Sequence, residues 1–365
     1  MFKRSLILSA AAAAALTLSS PGMAKTVTDV EGRTVEIPDN PERVLLGFYF
    51  EDFFAIVGPD AYDRVVAISR GAWEEWRNLQ WQAYVEAVPR IDELLDVGEV
   101  ESGTFNIEAA VAAEPDVAIL AAWQIDGLGE AVAKLEAAGI PVVVADYNAQ
   151  TVEKHVASTL LIGDVMGTEE RAKTLATEYE AAVADVEKRV AEAGGDPKKV
   201  YVELGNKGPD EIGNSYGEGM WAGVVDMAGG DNIAAGKIGN WGPLNPEYVL
   251  ASNPEAIFIA GSDWASREKA VVMGPGIEET MTHERLLPFI ERAGWAEIDA
   301  VKSGEVHAIY HGGARTLYDY AFLQYIAKTL HPDAFADVDP DATLKQFFDT
   351  YMPVAFKGTY MTRLK

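Results

Sequence analysis

Asn106-Ile-Glu-Ala-Ala-Val-Ala-Ala-Glu-Pro-Asp-Val-Ala-Ile-Leu-Ala121 is used twice in this chain, returning as Asn245-Pro-Glu-Tyr-Val-Leu-Ala-Ser-Asn-Pro-Glu-Ala-Ile-Phe-Ile-Ala260. Without gaps, Asn106 falls on Asn245, Glu108 on Glu247, Ala112 on Ala251, Pro115 on Pro254 and Ala121 on Ala260. The asparagine caps a short helix, and the glutamate sits in its first turn near the positive end of the dipole. The proline stops the helix, because it lacks an amide hydrogen and biases its predecessor toward extended angles. The apolar run that follows has the length and continuity of a strand buried on both faces. One such unit is common in α/β chains; a matched unit in each half predicts two similar lobes. Ligands of open parallel sheets sit at the carboxyl ends of strands, so two lobes facing each other there would enclose a cleft.

The rest of the chain is read outward from these units. The start, with basic Lys3 and Arg4, an apolar run from Ser5 to Leu18 and small residues at Gly22 and Ala24, has the form of a leader over residues 1–24 cut before Lys25. The expectation is an exported, soluble periplasmic protein that is not membrane-embedded, because no later stretch is long and apolar enough to span a bilayer. The chain has no cysteine, which removes disulfides, thiolate metal sites and cysteine nucleophiles. Its 57 acidic against 30 basic residues repel nucleic acid and anionic lipid, so both are poor partners.

Thr26 to Pro38 alternates around Glu31-Gly32 as a β-hairpin does. Leu45-Leu46-Gly47, Val65 to Ile68 and Pro141 to Ala145 read as further strands of an αβ lobe over residues 25–149. From 150 to 194 the strand signal stops. Ala172, Leu175, Ala176, Tyr179, Val183, Val186 and Val190 recur at helical spacing after a candidate cap at Thr168. This is one long helix, or two consecutive ones, joining the lobes. The second lobe, 195–365, restarts with Val200 to Leu204 and continues through Val306 to Ile309 and the loop Tyr310-His311-Gly312-Gly313-Ala314-Arg315.

The opening Asp29 to Val44, the two Asn…Pro units, the bridging helix and Met227-Ala-Gly-Gly-Asp-Asn-Ile-Ala234 together resemble the periplasmic solute-binding proteins of ABC importers for iron-siderophores, haem and cobalamin. The resemblance implies two Rossmann-like α/β lobes with parallel sheets, joined by a long rigid helix, with a ligand cleft between them. It implies a monomeric carrier without a cofactor of its own. Its cargo would be a small-molecule metal chelate, first an Fe(III)-siderophore, delivered to an inner-membrane permease. Haem, cobalamin and a small oxyanion such as molybdate stay open, since fold does not fix ligand. An enzyme on the same scaffold is the alternative from another class. The chain lacks a Gly-x-Ser-x-Gly elbow, a phosphate-binding Walker loop and a His-Glu-x-x-His motif.

Residues just after strands are the candidates for the cleft: Phe48, Tyr49, Arg70, Trp73 and Trp123 in the first lobe, and Asn206, Asn240, Trp241, Asp263, Trp264, Tyr310, His311 and Arg315 in the second. Aromatic planes suit a large, partly apolar ligand, and arginine forks suit its carboxylates or an anionic chelate. Arg70 and Arg315 stand out, each a loop arginine with no obvious helical partner. Tyr310 and His311 are candidate iron ligands, since phenolate and imidazole both bind iron. His155, His283, His307 and His331 show no ligand spacing that would suit a bare metal ion. The resemblance also implies one surface glutamate per lobe for docking to the permease. Glu218 matches the second-lobe position and Glu86 the first. The stretch Trp73 to Tyr84 is longer and more aromatic than the resemblance implies.

Overall fold

The structure is a computed structural model that describes residues 24–264 and 267–365. Apart from Ala24, the leader expected at 1–24 lies outside the described residues.

Two separate five-stranded sheets are formed, one from each half of the chain. In the first, Val44–Leu46 pairs on one side with Val65–Ile68 and on the other with Val117–Ala121; Leu95–Asp96 and Val142–Ala145 are the edges, and every pairing is parallel. Alternation along these strands sorts their side chains. Val44, Leu46, Ile119, Ala121 and Val143 face the large core, while Leu45, Ala118, Leu120 and Val142 face a smaller one on the opposite side. In the second sheet Lys199–Leu204, Ala256–Gly261 and Val306–Tyr310 run parallel, with Asp231–Asn232 beside the first of them. Met361–Arg363 closes the far edge antiparallel to Val306–Tyr310. That strand has one apolar residue, Met361, among polar neighbours, too little pattern to read from sequence.

Both repeat copies form the unit expected of them. The Asn106 side chain accepts from the Ala109 amide and starts the helix Ile107–Ala112; Asn245 accepts from the Glu247 amide and starts Pro246–Ser252. The strands that follow, Val117–Ala121 and Ala256–Gly261, are buried at every residue. The expected hairpin pairs Ala24–Thr28 with Thr34–Pro38.

The stretch between the lobes consists of two helices, Val152–Met166 and Glu169–Ala193, folded back on each other. Gly167, at φ 71°, makes the left-handed turn between them. The imidazole of His155 stacks on the Tyr179 ring at 4.8 Å, which brings together residues equally far from that turn. At Gly163 a Cβ would stand 2.2 Å from the Ala172 methyl, so this close helix crossing requires glycine. Thr168 is not the cap expected of it: no amide bonds to its hydroxyl, which is buried without a partner. Thr151 caps the first helix instead, accepting from the Lys154 amide.

Candidate ligand-binding site

The strand Val44–Leu46 ends at Gly47, where the Gln124 side chain lies so close that a Cβ would meet its Oε1 at 2.5 Å. Gln124 donates to the Gly47 carbonyl (3.1 Å) and accepts from the Ala121 amide (3.1 Å), clamping two strand ends together. Phe48 is held next to this clamp. Its ring meets Trp123 edge-on at 5.2 Å, Trp76 at 6.3 Å and Tyr49 at 5.1 Å, and Trp76 stacks against Trp123 at 6.5 Å.

Two guanidinium groups lie against the same phenyl ring, Arg315 at 5.0 Å and Arg77 at 5.8 Å from its centre. They are only 8% and 7% exposed. Among the described residues no carboxylate pairs with either. Arg315 Nε is buried without a partner, and its Nη1 reaches only the Met220 sulfur, at 4.0 Å. Burial, then the Arg77 charge, pulls the Arg315 pKa down to about 10, so it still carries its proton at neutral pH. Beside them, His311 Nδ1 is 3.1 Å from the Tyr216 hydroxyl. Burial, Arg315 and Arg77 together hold the His311 pKa well below the imidazole range, so the ring is neutral and shares one hydrogen bond with the Tyr216 hydroxyl. The result is a buried patch with two guanidiniums out of ion-pair contact, neutral hydrogen-bonding groups and aromatic walls, a setting that suits an anion with apolar surface.

The backbone is bent to build it. Six described non-glycine residues have positive φ, and four of them, Tyr49, Gln150, Met220 and Arg315, meet here. Gln150 Oε1 accepts from the Arg315 amide (3.2 Å), the Met220 amide donates to the Asn148 carbonyl (3.0 Å), and Tyr49 donates to Asn148 Oδ1 (2.8 Å). Such conformations cost about 1–3 kcal/mol each and persist where the surroundings enforce them. The lobes are joined close by through buried carboxylates. Asp52 accepts from the Leu317 amide (2.7 Å), and Glu51 accepts from Tyr318 (2.6 Å), Gln80 (2.8 Å) and Tyr84 (2.9 Å). Burial raises the pKa of both acids.

Of the residues singled out in the sequence, Phe48, Tyr49, Trp123, His311 and Arg315 come together here, with the half-exposed Trp241 6.1 Å from Tyr216. Others go elsewhere. Arg70 is bound to Asp92 (3.1 Å) and to the carbonyls of Asp92 (2.6 Å) and Leu94 (3.1 Å), so its fork is already used. Trp73 has no exposed surface and stacks on Phe50 at 4.7 Å inside the first-lobe core. Tyr310 is equally enclosed and accepts from Gln80 at 3.3 Å, while His311 turns to Tyr216, so the two do not converge on a metal. Among the described residues no group of three or more His, Asp or Glu is placed to hold a metal ion. The Asp263 carboxylate accepts from the amides of Leu79 and Gln80. Trp264 packs under Arg267 (5.7 Å). Asn206 accepts from Arg267 through its carbonyl (3.4 Å), and the exposed Asn240 accepts from the Gly217 amide (3.0 Å). Glu86 and Glu218 are both exposed.

Sequence reasoning passed over Arg77, Trp76 and Tyr216. Arg77 and Trp76 belong to the Trp-rich stretch whose purpose the sequence left open, and an arginine there among tryptophans was the available signal. Tyr216 ends a short strand, Asn214–Tyr216, in a glycine-rich segment with no comparable mark.

The family profile "Periplasmic binding protein" matches residues 45–310. The chain belongs to that family. A TroA-like periplasmic binding protein, FepB, from Veillonella parvula is 34% identical, with a TM-score of 0.86 over 93% of this chain and 99% of that one. Among curated relatives, the molybdate-binding protein MolA of Haemophilus influenzae is 25% identical across 91% of this chain and 92% of its own. The vitamin B12-binding protein of Yersinia pestis is 26% identical across 43% of this chain and 53% of its own. A haem-binding neighbour, BhuT, shares the fold with a TM-score of 0.59 at 18% identity over 80% of this chain and 98% of that one. As a periplasmic binding protein the chain is a substrate-binding component of ABC transport, not an enzyme. Among its described residues no helix is long and apolar enough to cross a membrane.

Proposed function

We propose that this periplasmic binding protein captures an anionic metal chelate, in the first place an Fe(III)-siderophore, and hands it to an inner-membrane permease through faces carrying Glu86 and Glu218. The observation that carries the reading is the pair Arg77 and Arg315 on the Phe48 ring, buried and without carboxylate partners. Holding two such charges apart from water is costly unless an anion completes the site. The walls of Trp76, Trp123 and Phe48 suit a ligand with flat apolar surface. The chelate supplies its own metal coordination, so the site needs only to recognise the outer oxygens and rings of the complex.

A bare oxyanion is the second reading, favoured by the likeness to a molybdate-binding protein over nearly the whole chain. Purification from the native periplasm, followed by native mass spectrometry and an absorbance spectrum, separates the two. A coloured, iron-bearing small molecule retained by the protein supports the chelate. A colourless protein whose tryptophan fluorescence responds to molybdate and not to Fe(III)-tris-catecholate overturns it.

A further inference from the structure

The helix Asn78–Ala87 starts without a cap of its own. Its N-cap position is Arg77, whose side chain offers no acceptor to the free amides of the first turn. Asn78 cannot replace it, because Asn78 Oδ1 accepts from Gln82 (2.7 Å) and its Nδ2 donates to the Glu74 carbonyl (3.2 Å). The missing acceptor comes from the other lobe. Asp263, just past the end of the strand Ala256–Gly261, takes the amides of both Leu79 and Gln80 on one oxygen. These are the second and third helical positions, the ones that a capping side chain normally serves. Next to it, Ser262 Oγ donates to the Trp76 carbonyl at 3.3 Å. Asp263 is 4% exposed.

We infer that Asp263 is a positioning residue for the ligand site: it caps the Asn78–Ala87 helix from the second lobe, which leaves the N-cap position free for an arginine and fixes the Arg77 guanidinium beside Phe48. Capping between lobes also ties the placement of Arg77 to the contact between them. A helix that capped itself would need a short acceptor at residue 77 and would lose the arginine. The inference rests on the proposal that Arg77 meets the anion, and the test keeps the two apart.

The full mature chain is titrated with Fe(III)-tris-catecholate by tryptophan fluorescence, and hydrogen exchange is read at Leu79 and Gln80. Asp263→Ala should weaken the probe about tenfold, the order of a lost cap expressed as affinity, and deprotect both amides. Asp263→Asn keeps an acceptor oxygen and should stay within about threefold. In an Arg77→Gln background, Asp263→Ala should cost no further affinity, because there is no guanidinium left to place. The double variant Arg77→Asp with Asp263→Ala should recover the amide protection by capping itself and still bind weakly, which separates placement from folding. Equal losses from Asp263→Ala with and without Arg77, or full affinity in Asp263→Ala, overturn the positioning role alone. Unchanged affinity in Arg77→Gln overturns the anion site, and with it this inference.

Discussion

Each lobe ends a buried parallel strand in a loop bearing an arginine, and the two arginines meet opposite conditions. After Val65–Ile68, Arg70 turns onto Asp92 and the carbonyls of Asp92 and Leu94, with its fork 5.0 Å above the Trp81 ring. After Val306–Tyr310, Arg315 follows a loop of His, Gly, Gly and Ala that offers no carboxylate, and a φ of 62° sends it against Phe48. The first arginine is neutralised by its own lobe and acts as a staple. The second is left charged beside Arg77, where the chain provides hydroxyls and rings but, among the described residues, no carboxylate in ion-pair contact; Glu51 and Asp263 act on Arg77 only from a distance. A neutralised cation contributes to the fold, whereas an un-neutralised buried one marks a place where something else supplies the charge.

That contrast can be broken by substitution. Arg315→Gln should weaken Fe(III)-tris-catecholate about 10- to 100-fold, the loss of a charge-assisted contact of about 1.5–3 kcal/mol. Its melting temperature should hold or rise, since an unpaired buried charge is removed. A simultaneous loss of affinity and stability would mean that Arg315 is a structural residue like Arg70. Arg77→Gln should cost about tenfold in affinity and leave a shallower salt dependence of binding, because one fewer cation faces the anion. Arg70→Gln should do the reverse, leaving affinity unchanged and lowering unfolding free energy by about 1 kcal/mol, a modest figure for a partly exposed ion pair. If Arg70→Gln instead weakens the probe as much as Arg315→Gln does, the two loops are equivalent and the comparison fails.

The smallest effect expected concerns His311. Burial and the two arginines depress its pKa, so below the ordinary imidazole value the unfolded chain binds a proton that the native state refuses. Stability is therefore lost as pH falls from about 7 toward 5, the interval that starts around the free imidazole value. Melting curves of His311→Gln across that interval should show a flatter pH dependence than those of the native chain. An unaltered slope would place the titration elsewhere, with the buried His307, whose pKa burial also lowers, the next candidate.

The two halves were readable because their signals are local. Asn106 and Asn245 cap within three residues, Pro115 and Pro254 stop their helices by their own geometry, and the strands after them are continuous apolar runs. The site was read in part for the same reason: a residue just after a strand is easy to nominate, and Phe48, Trp123, His311 and Arg315 were found that way. The same rule also nominated Trp73 and Arg70, because position along the chain does not say whether a side chain turns into its own core or toward the other lobe. Arg77 lay outside the rule, since it enters the site from the start of a helix held by Asp263, 184 residues from Leu79.

The sequence by itself determined that this chain makes two similar αβ halves separated by a helical stretch, since hydrophobic period, caps and proline stops act over a few residues. Only the tertiary structure decided which charges stay un-neutralised, because ion pairing depends on which distant groups come within a few ångströms. Arg70 and Arg315 look alike in the chain and differ in space by the carboxylates of Asp92 and Glu74 and the two carbonyls that reach Arg70 and not Arg315.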